Sequence, residues 1–186
     1  MMRLHFINQP VGNSDQLVEN FNQLKNLRVR QQILLSGEIY TGRDAAHKRM
    51  IELLDAGESL PFNVQGQAIY YAGPCPAPPG KIIGSVGPTT SKRMDAYAPR
   101  LIAEGLKIMI GKGERSPAVA AAIRQHGGVY LSAIGGAGAL IAQCVTRVET
   151  IAFEDLGTEA IYRLTVKDFP LVVAIDAFGG NIFDRS

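Results

Sequence analysis

Cysteine is scarce: Cys75 and Cys144 are the only two in 186 residues, and neither belongs to a Cys-x-x-Cys pair. Two thiolates cannot alone supply the three or four ligands of a zinc or iron–sulfur site. The three histidines, His5, His47 and His126, are scattered and show no metal-ligand spacing. No charge of one sign prevails, because 19 basic residues face 17 acidic ones for a net +2. That balance gives neither nucleic acid nor a membrane surface a reason to bind. Long apolar runs are also missing. The longest glycine-rich apolar stretch, Ile134 to Ala142, is far below the ~20 residues of a membrane span. Met1 to Gly12 lacks the basic-then-apolar pattern of a secretory signal, so a cytoplasmic chain is expected.

What remains is ordinary globular material. Apolar residues make up 46% and charged residues 19%. A chain of this length forms one domain that buries roughly two-thirds of its unfolded surface without a staple. Strands are predicted at Arg3–Ile7, Gln31–Tyr40, Ala68–Ala72, Ile82–Val86, Leu106–Ile110, Val129–Ala133, Arg147–Phe153, Tyr162–Val166 and Leu171–Asp176. Helices are predicted over Asn13–Asn26, Arg43–Asp55, from Thr89 or Thr90 to Glu104 with a kink or break at Pro99, and Ser116–Gln125. Prolines at 74, 76, 78 and 79 make Gly73–Gly80 a stiff loop. Strand–helix alternation in the middle argues for a parallel sheet, and strands without helices at the flanks argue for an antiparallel layer. The fold class is therefore mixed α/β.

Twenty glycines invite a nucleotide reading, and it fails. Gly105 to Lys112 spaces its glycines one residue too far for a P-loop, and Gly113 stands where Ser or Thr must bind magnesium. Gly135-Gly136-Ala137-Gly138 lacks the third glycine of the dinucleotide fingerprint. No Gly-x-Ser-x-Gly elbow is present. Three cations are better placed. Arg43 follows Thr41-Gly42 and opens a helix, Arg93 lies in the first turn after Gly87-Pro88-Thr89-Thr90-Ser91, and Lys112 is held between two glycines after a strand. An arginine at a helix start opposes the macrodipole, and a bound anion reverses that sign. Three cations and two helix ends suit a dicarboxylate. Solvated arginines, a core-edge His47 that orients a neighbour, and Thr89 and Thr90 as plain helix caps are the bland alternatives.

The strings SGEIYTGRDAAHKR (36–49), AIYYAGP (68–74), VGPTTSKRMD (86–95) and IGKG (110–113), with Asp168-Phe169-Pro170, resemble the β subunit of class I fumarate hydratases. That subunit is equivalent to the C-terminal domain of the single-chain enzymes. The L-tartrate dehydratase β subunit shares most of these motifs, and the GRDAAHKR wording is nearer the fumarase branch. The resemblance implies that residues 1–186 form one catalytic domain, a swivelling three-layer β/β/α fold with a central parallel and a second antiparallel sheet. It implies reversible hydration of fumarate to L-malate, a tricarboxylic acid cycle step. It also implies a [4Fe–4S] cluster held by three cysteines of an α subunit and none bound by this chain. The expected assembly is a hetero-oligomer with that α subunit, or a homodimer when the chain is alone. By similarity, Arg43, Arg93 and Lys112 grip the substrate carboxylates, Thr89 takes part in proton transfer, and Asp44 and His47 support them from behind. The rival readings are an L-tartrate dehydratase β subunit and a non-catalytic dicarboxylate-binding module.

Overall fold

The computed structural model describes residues 1–6 and 22–184. Its elements are β1 (Met2–Phe6), β2 (Gln32–Thr41), α1 (Asp44–Asp55), β3 (Ala68–Tyr70), a 3-10 turn (Ser91–Met94), α2 (Ala98–Ala103), β4 (Ile108–Gly111), α3 (Pro117–His126), β5 (Val129–Ser132), α4 (Gly138–Gln143), β6 (Val145–Ala152), a second 3-10 segment (Glu154–Glu159) and β7 (Ile161–Ile175). Of the helix expected over Asn13–Asn26, residues 22–26 are helical and most of the rest lies outside the described residues.

Seven strands form one mixed sheet in the order β1-β2-β3-β4-β5-β7-β6. The first five run parallel, while β7 is antiparallel to β2, β5 and β6. Because β7 pairs with both β2 and β5, strands β2, β3, β4, β5 and β7 close into a circuit. Apolar residues alternate across the parallel strands. Ala68, Tyr70, Ile108, Ile110, Val129 and Leu131 pack inward with β2 and β7 residues such as Leu35 and Phe169. Ile69, Tyr71, Met109 and Tyr130 face the helices and meet Met50, Leu101, Ile102, Val119 and Ile123. Burial on both faces explains why these strands read as continuous apolar runs.

Four expectations are corrected. Ile82–Val86 forms no strand: Cys75 N–H donates to Ser85 O, Gly84 N–H to Cys75 O and Val86 N–H to Gly138 O, so the segment is satisfied piecemeal by the proline loop and α4. The helix drawn from Thr89 or Thr90 to Glu104 is a 3-10 turn plus α2. Pro99 provides the break, since it has no N–H to give and its ring clashes with the carbonyl four residues back; it sits in the first turn of α2, where proline is tolerated. The two C-terminal strands are a single one of 15 residues. Asp168, with a left-handed φ of 52°, lies in a bulge of β7 where Lys167 and Asp168 oppose Ser36 alone, and the ladder resumes at Phe169 opposite Leu35. On the other side of β7, pairing with β6 ends at Val166 and pairing with β5 begins at Val172, so Pro170 falls between ladders. Finally, Arg43 is the N-cap of α1 and not its first helical residue.

Candidate functional site

The carboxyl ends of β2, β3 and β4 lie side by side. With adjacent strands ~4.8 Å apart, loops leaving β2 and β4 start about 10 Å from each other. A run of backbone hydrogen bonds joins those loops: Gly42 N–H to Tyr70 O (3.1 Å), Thr89 N–H to Tyr71 O (2.8 Å), Tyr71 N–H to Ile110 O (2.8 Å) and Ser91 N–H to Lys112 O (2.9 Å). Thr90 and Lys112 form a parallel bridge. Thr89, half-buried, therefore sits one residue from the Lys112 pairing and one hydrogen bond from β3.

Arg43 and Arg93 meet at Asp44. Arg93 donates through Nε to Asp44 Oδ1 at 2.8 Å, and Arg43 Nη2 lies 4.0 Å from Asp44 Oδ2. Glu159, from the second 3-10 segment, places Oε1 3.2 Å from Arg43 Nη2 and accepts the Ala45 N–H on Oε2 at 3.1 Å. Anchoring Arg93 by Nε leaves its terminal nitrogens for another anion, the bidentate geometry that suits a carboxylate. The Lys112 stem lies along Gly135, where an added Cβ would come 3.4 Å from Cδ and 3.9 Å from Nζ. Arg93 is half-exposed, at 50%, and Arg43 is 25% exposed, so the cluster occupies a surface rather than a sealed cavity. Clefts of about 380 and 400 Å³ lie elsewhere, against the proline loop, lined by residues such as Cys75, Ile83 and Ser85.

Two parts of the electrostatic expectation are corrected. Arg93 stands on a four-residue 3-10 turn, not at an α-helix start. At α1, Glu159 already occupies the Ala45 N–H that an anion was expected to use. Counting Asp44 and Glu159 against Arg43, Arg93 and Lys112 leaves one net positive charge rather than three.

His47 is fully buried. Its Nδ1 lies 2.9 Å from Arg43 O, an acceptor only, so Nδ1 carries the proton and Nε2 is a buried lone pair with no partner among the described residues. Burial lowers its pKa from 6.5 to about 4, and Arg115 adds to that depression. The ring packs edge-on against Tyr71 at 5.3 Å. His47 therefore orients the Arg43 backbone and does not titrate near neutrality.

Residues 13–186 match the family described as Fumarase C-terminus. The chain belongs to that family. It is 42% identical over 169 residues to "Fumarate hydratase class I, aerobic" of Salmonella typhimurium, covering 90% of this chain and 29% of the relative. It is 43% identical over 165 residues to "Fumarate hydratase class I, anaerobic" of Escherichia coli, covering 88% and 30%. Against "Putative L(+)-tartrate dehydratase subunit beta" of Methanocaldococcus jannaschii, it is 38% identical over 176 residues, covering 89% and 90%. The chain thus spans about a third of the fumarate hydratases it matches and nearly the whole of a β subunit.

Within this Fumarase C-terminus domain, the residues do not fit an iron–sulfur cluster. Cys75 is exposed, Cys144 is half-buried, and no group of three or more His, Cys, Asp or Glu among the described residues could hold a metal ion. Among those residues no helix is long and apolar enough to cross a membrane. Sequence reasoning missed Glu159, Asp95, Arg115 and Tyr130. Arg115 is completely buried, bonded through Nε to Asp95 Oδ1 at 2.7 Å and lying 5.1 and 5.0 Å over the rings of Tyr71 and Tyr130. Arg115 follows the IGKG string by one residue, and Asp95 closes VGPTTSKRMD; their adjacency to both motifs was the available signal.

Proposed function

We propose that this chain is the cluster-free β subunit, or equivalent C-terminal domain, of an iron–sulfur hydro-lyase that interconverts fumarate and L-malate. The observation that supports it is the hydrogen-bonded junction of the Arg43, Thr89, Arg93 and Lys112 segments at the carboxyl ends of adjacent parallel strands, where ligands collect in α/β folds. The proposal takes residues 1–186 as one catalytic domain of the swivelling β/β/α type. In it, Arg43, Arg93 and Lys112 hold the two carboxylates. The [4Fe–4S] cluster belongs to the α subunit.

Proton removal beside a carboxylate builds a second negative charge on that group, and fixed cations lower the barrier to it. Arg93, oriented by Asp44, and Lys112, seated beside Thr90, supply those charges. Thr89 exchanges the proton at the reacting carbon; a threonine hydroxyl is a weak base, so it acts with a neighbour that raises its basicity. With one net positive charge among these five side chains and two negative charges on the substrate, the α subunit supplies the balance. The half-exposed cations suit a site that a second polypeptide covers.

The test is anaerobic reconstitution with a cluster-bearing α partner. Thr89→Ala should cut turnover strongly while assembly is retained, and unchanged turnover removes Thr89 from its role. Arg93→Ala should cost about 2–3 kcal/mol in kcat/KM, the loss of a charge-assisted hydrogen bond. Near-complete overlap with a tartrate dehydratase β subunit favours tartrate as the second reading. Comparing malate with tartrate turnover in the same complex decides between them. Tight fumarate binding by the lone chain, seen by calorimetry, points instead to a non-catalytic dicarboxylate-binding module.

A further inference from the structure

One buried hydroxyl touches two of the loops that carry the proposed substrate cations, those of Arg93 and Lys112. Tyr130, on β5, is fully buried with its ring on the helix side of the sheet. Its OH donates to Gly113 O at 2.8 Å, one residue beyond Lys112. It also lies 2.9 Å from Ser91 Oγ, two residues beyond Thr89 and two before Arg93. A phenol has one proton, and the carbonyl can only accept, so Ser91 is the donor in the second bond. Burial pushes the phenol up to about 12, which keeps that proton in place at any ordinary pH. The room for this arrangement is made by glycine: a Cβ at Gly111 would lie 2.0 Å from Ser91 Oγ. At Gly113 the chain turns with φ at 81°, a left-handed conformation that glycine adopts without strain.

We propose that Tyr130 is a positioning residue whose hydroxyl fixes the spacing between the Thr89–Arg93 loop and Lys112, and so sets the reach of the cations across the dicarboxylate. The inference rests on the reading of those cations given under Proposed function. The backbone bond from Ser91 to Lys112 ties the loops at their near point, and the Ser91–Tyr130–Gly113 chain ties them a second time from below. Two ties at different depths resist rotation of one loop against the other, which a single bond does not. Geometry of this kind matters because small misplacement of a binding group costs much of its effect.

The experiment uses Tyr130→Phe, which keeps the ring that Arg115 covers, and Ser91→Ala, which removes the same link from the other side. Each is measured in the full chain by amide hydrogen exchange and in the reconstituted complex by steady-state kinetics on malate, with Lys112→Ala as reference. Faster exchange in residues 89–93 and 111–114, with KM raised about tenfold and kcat changed less than threefold in both variants, supports the proposal. Unchanged exchange and unchanged KM in a folded Tyr130→Phe chain overturn it, and so does the same result in Ser91→Ala if Tyr130→Phe fails to fold. If exchange rises in both segments while Lys112→Ala leaves turnover intact, the tether stands and the assignment of the cations as the substrate site falls.

Discussion

His47 is fully buried and its Nδ1 meets a carbonyl that can only accept, which makes its neutral form part of the folded structure. The unfolded chain binds a proton at His47 below pH 6.5, whereas the folded chain resists until about 4. Stability from this group is therefore complete above pH 6.5 and falls as pH drops toward 4, by on the order of 3 kcal/mol. Urea unfolding of His47→Asn beside the unmodified chain, from pH 7 to 4, should show the variant losing less stability across that window. Gly73 gives a second prediction at this scale. A Cβ there would stand 2.7 Å from Thr158 O and 3.0 Å from Arg43 Cδ, so Gly73→Ala must displace the arginine side chain or the carbonyl. KM for the dicarboxylate in the reconstituted complex should rise about tenfold with the fold intact. Individual cations were legible because glycine-bearing turns flank them: Thr41-Gly42 before Arg43, and Gly111 and Gly113 around Lys112. Glu159 was not. It lies 114 residues from Ala45, and no local pattern marks a carboxylate that will close on a distant helix start.

Among the elements, the buried Asp95–Arg115 pair joins the 3-10 turn to the start of α3. Asp95 Oδ1 takes Arg115 Nε and Oδ2 takes the Ser116 N–H, while Ser116 Oγ in turn accepts from Val119 N–H at the N-cap. Asp95→Ala leaves a guanidinium enclosed without its counter-charge, and should cost about 3–5 kcal/mol of unfolding free energy by denaturant titration. By contrast, Arg49→Ala breaks an ion pair to Asp155 in which Asp155 is 66% exposed and solvent screens the charges, so the denaturant midpoint should stay essentially unchanged. Local pattern read the strands of the parallel sheet to within two residues, because an apolar run closed by glycine or proline is a local property. It failed where a distant segment decides the state. Ile82–Val86 is as apolar as β4, yet its amides are taken by Cys75 and α4. Asp168-Phe169-Pro170 reads as an interruption, yet a bulge within β7, with Lys167 and Asp168 opposite Ser36, keeps the strand paired with β2 through it.

At the scale of the molecule, two apolar clusters on opposite faces of the parallel strands hold the chain together, and among the described residues no group of three or more His, Cys, Asp or Glu is placed to hold a metal ion. The lone chain should accordingly unfold at the same denaturant concentration with and without a chelator; a chelator-dependent midpoint would place a structural metal in it. Parallel and antiparallel strands were foreseeable from strands with and without intervening helices, but the expected second, antiparallel sheet is instead joined to the parallel strands in one sheet, and its closure was not foreseen. Closure depends on β7 spanning 15 residues and reaching β2 at one flank and β5 at the other. That strand has a consequence for biogenesis. The earlier strands of the circuit leave the ribosome with a gap that only residues 161–175 can seal, so their shared interior cannot dry until that strand has emerged. Folding should be slow and all-or-none, as is usual when pairings link segments far apart in sequence. Truncating before Ile161 should yield aggregation-prone material instead of a smaller folded piece.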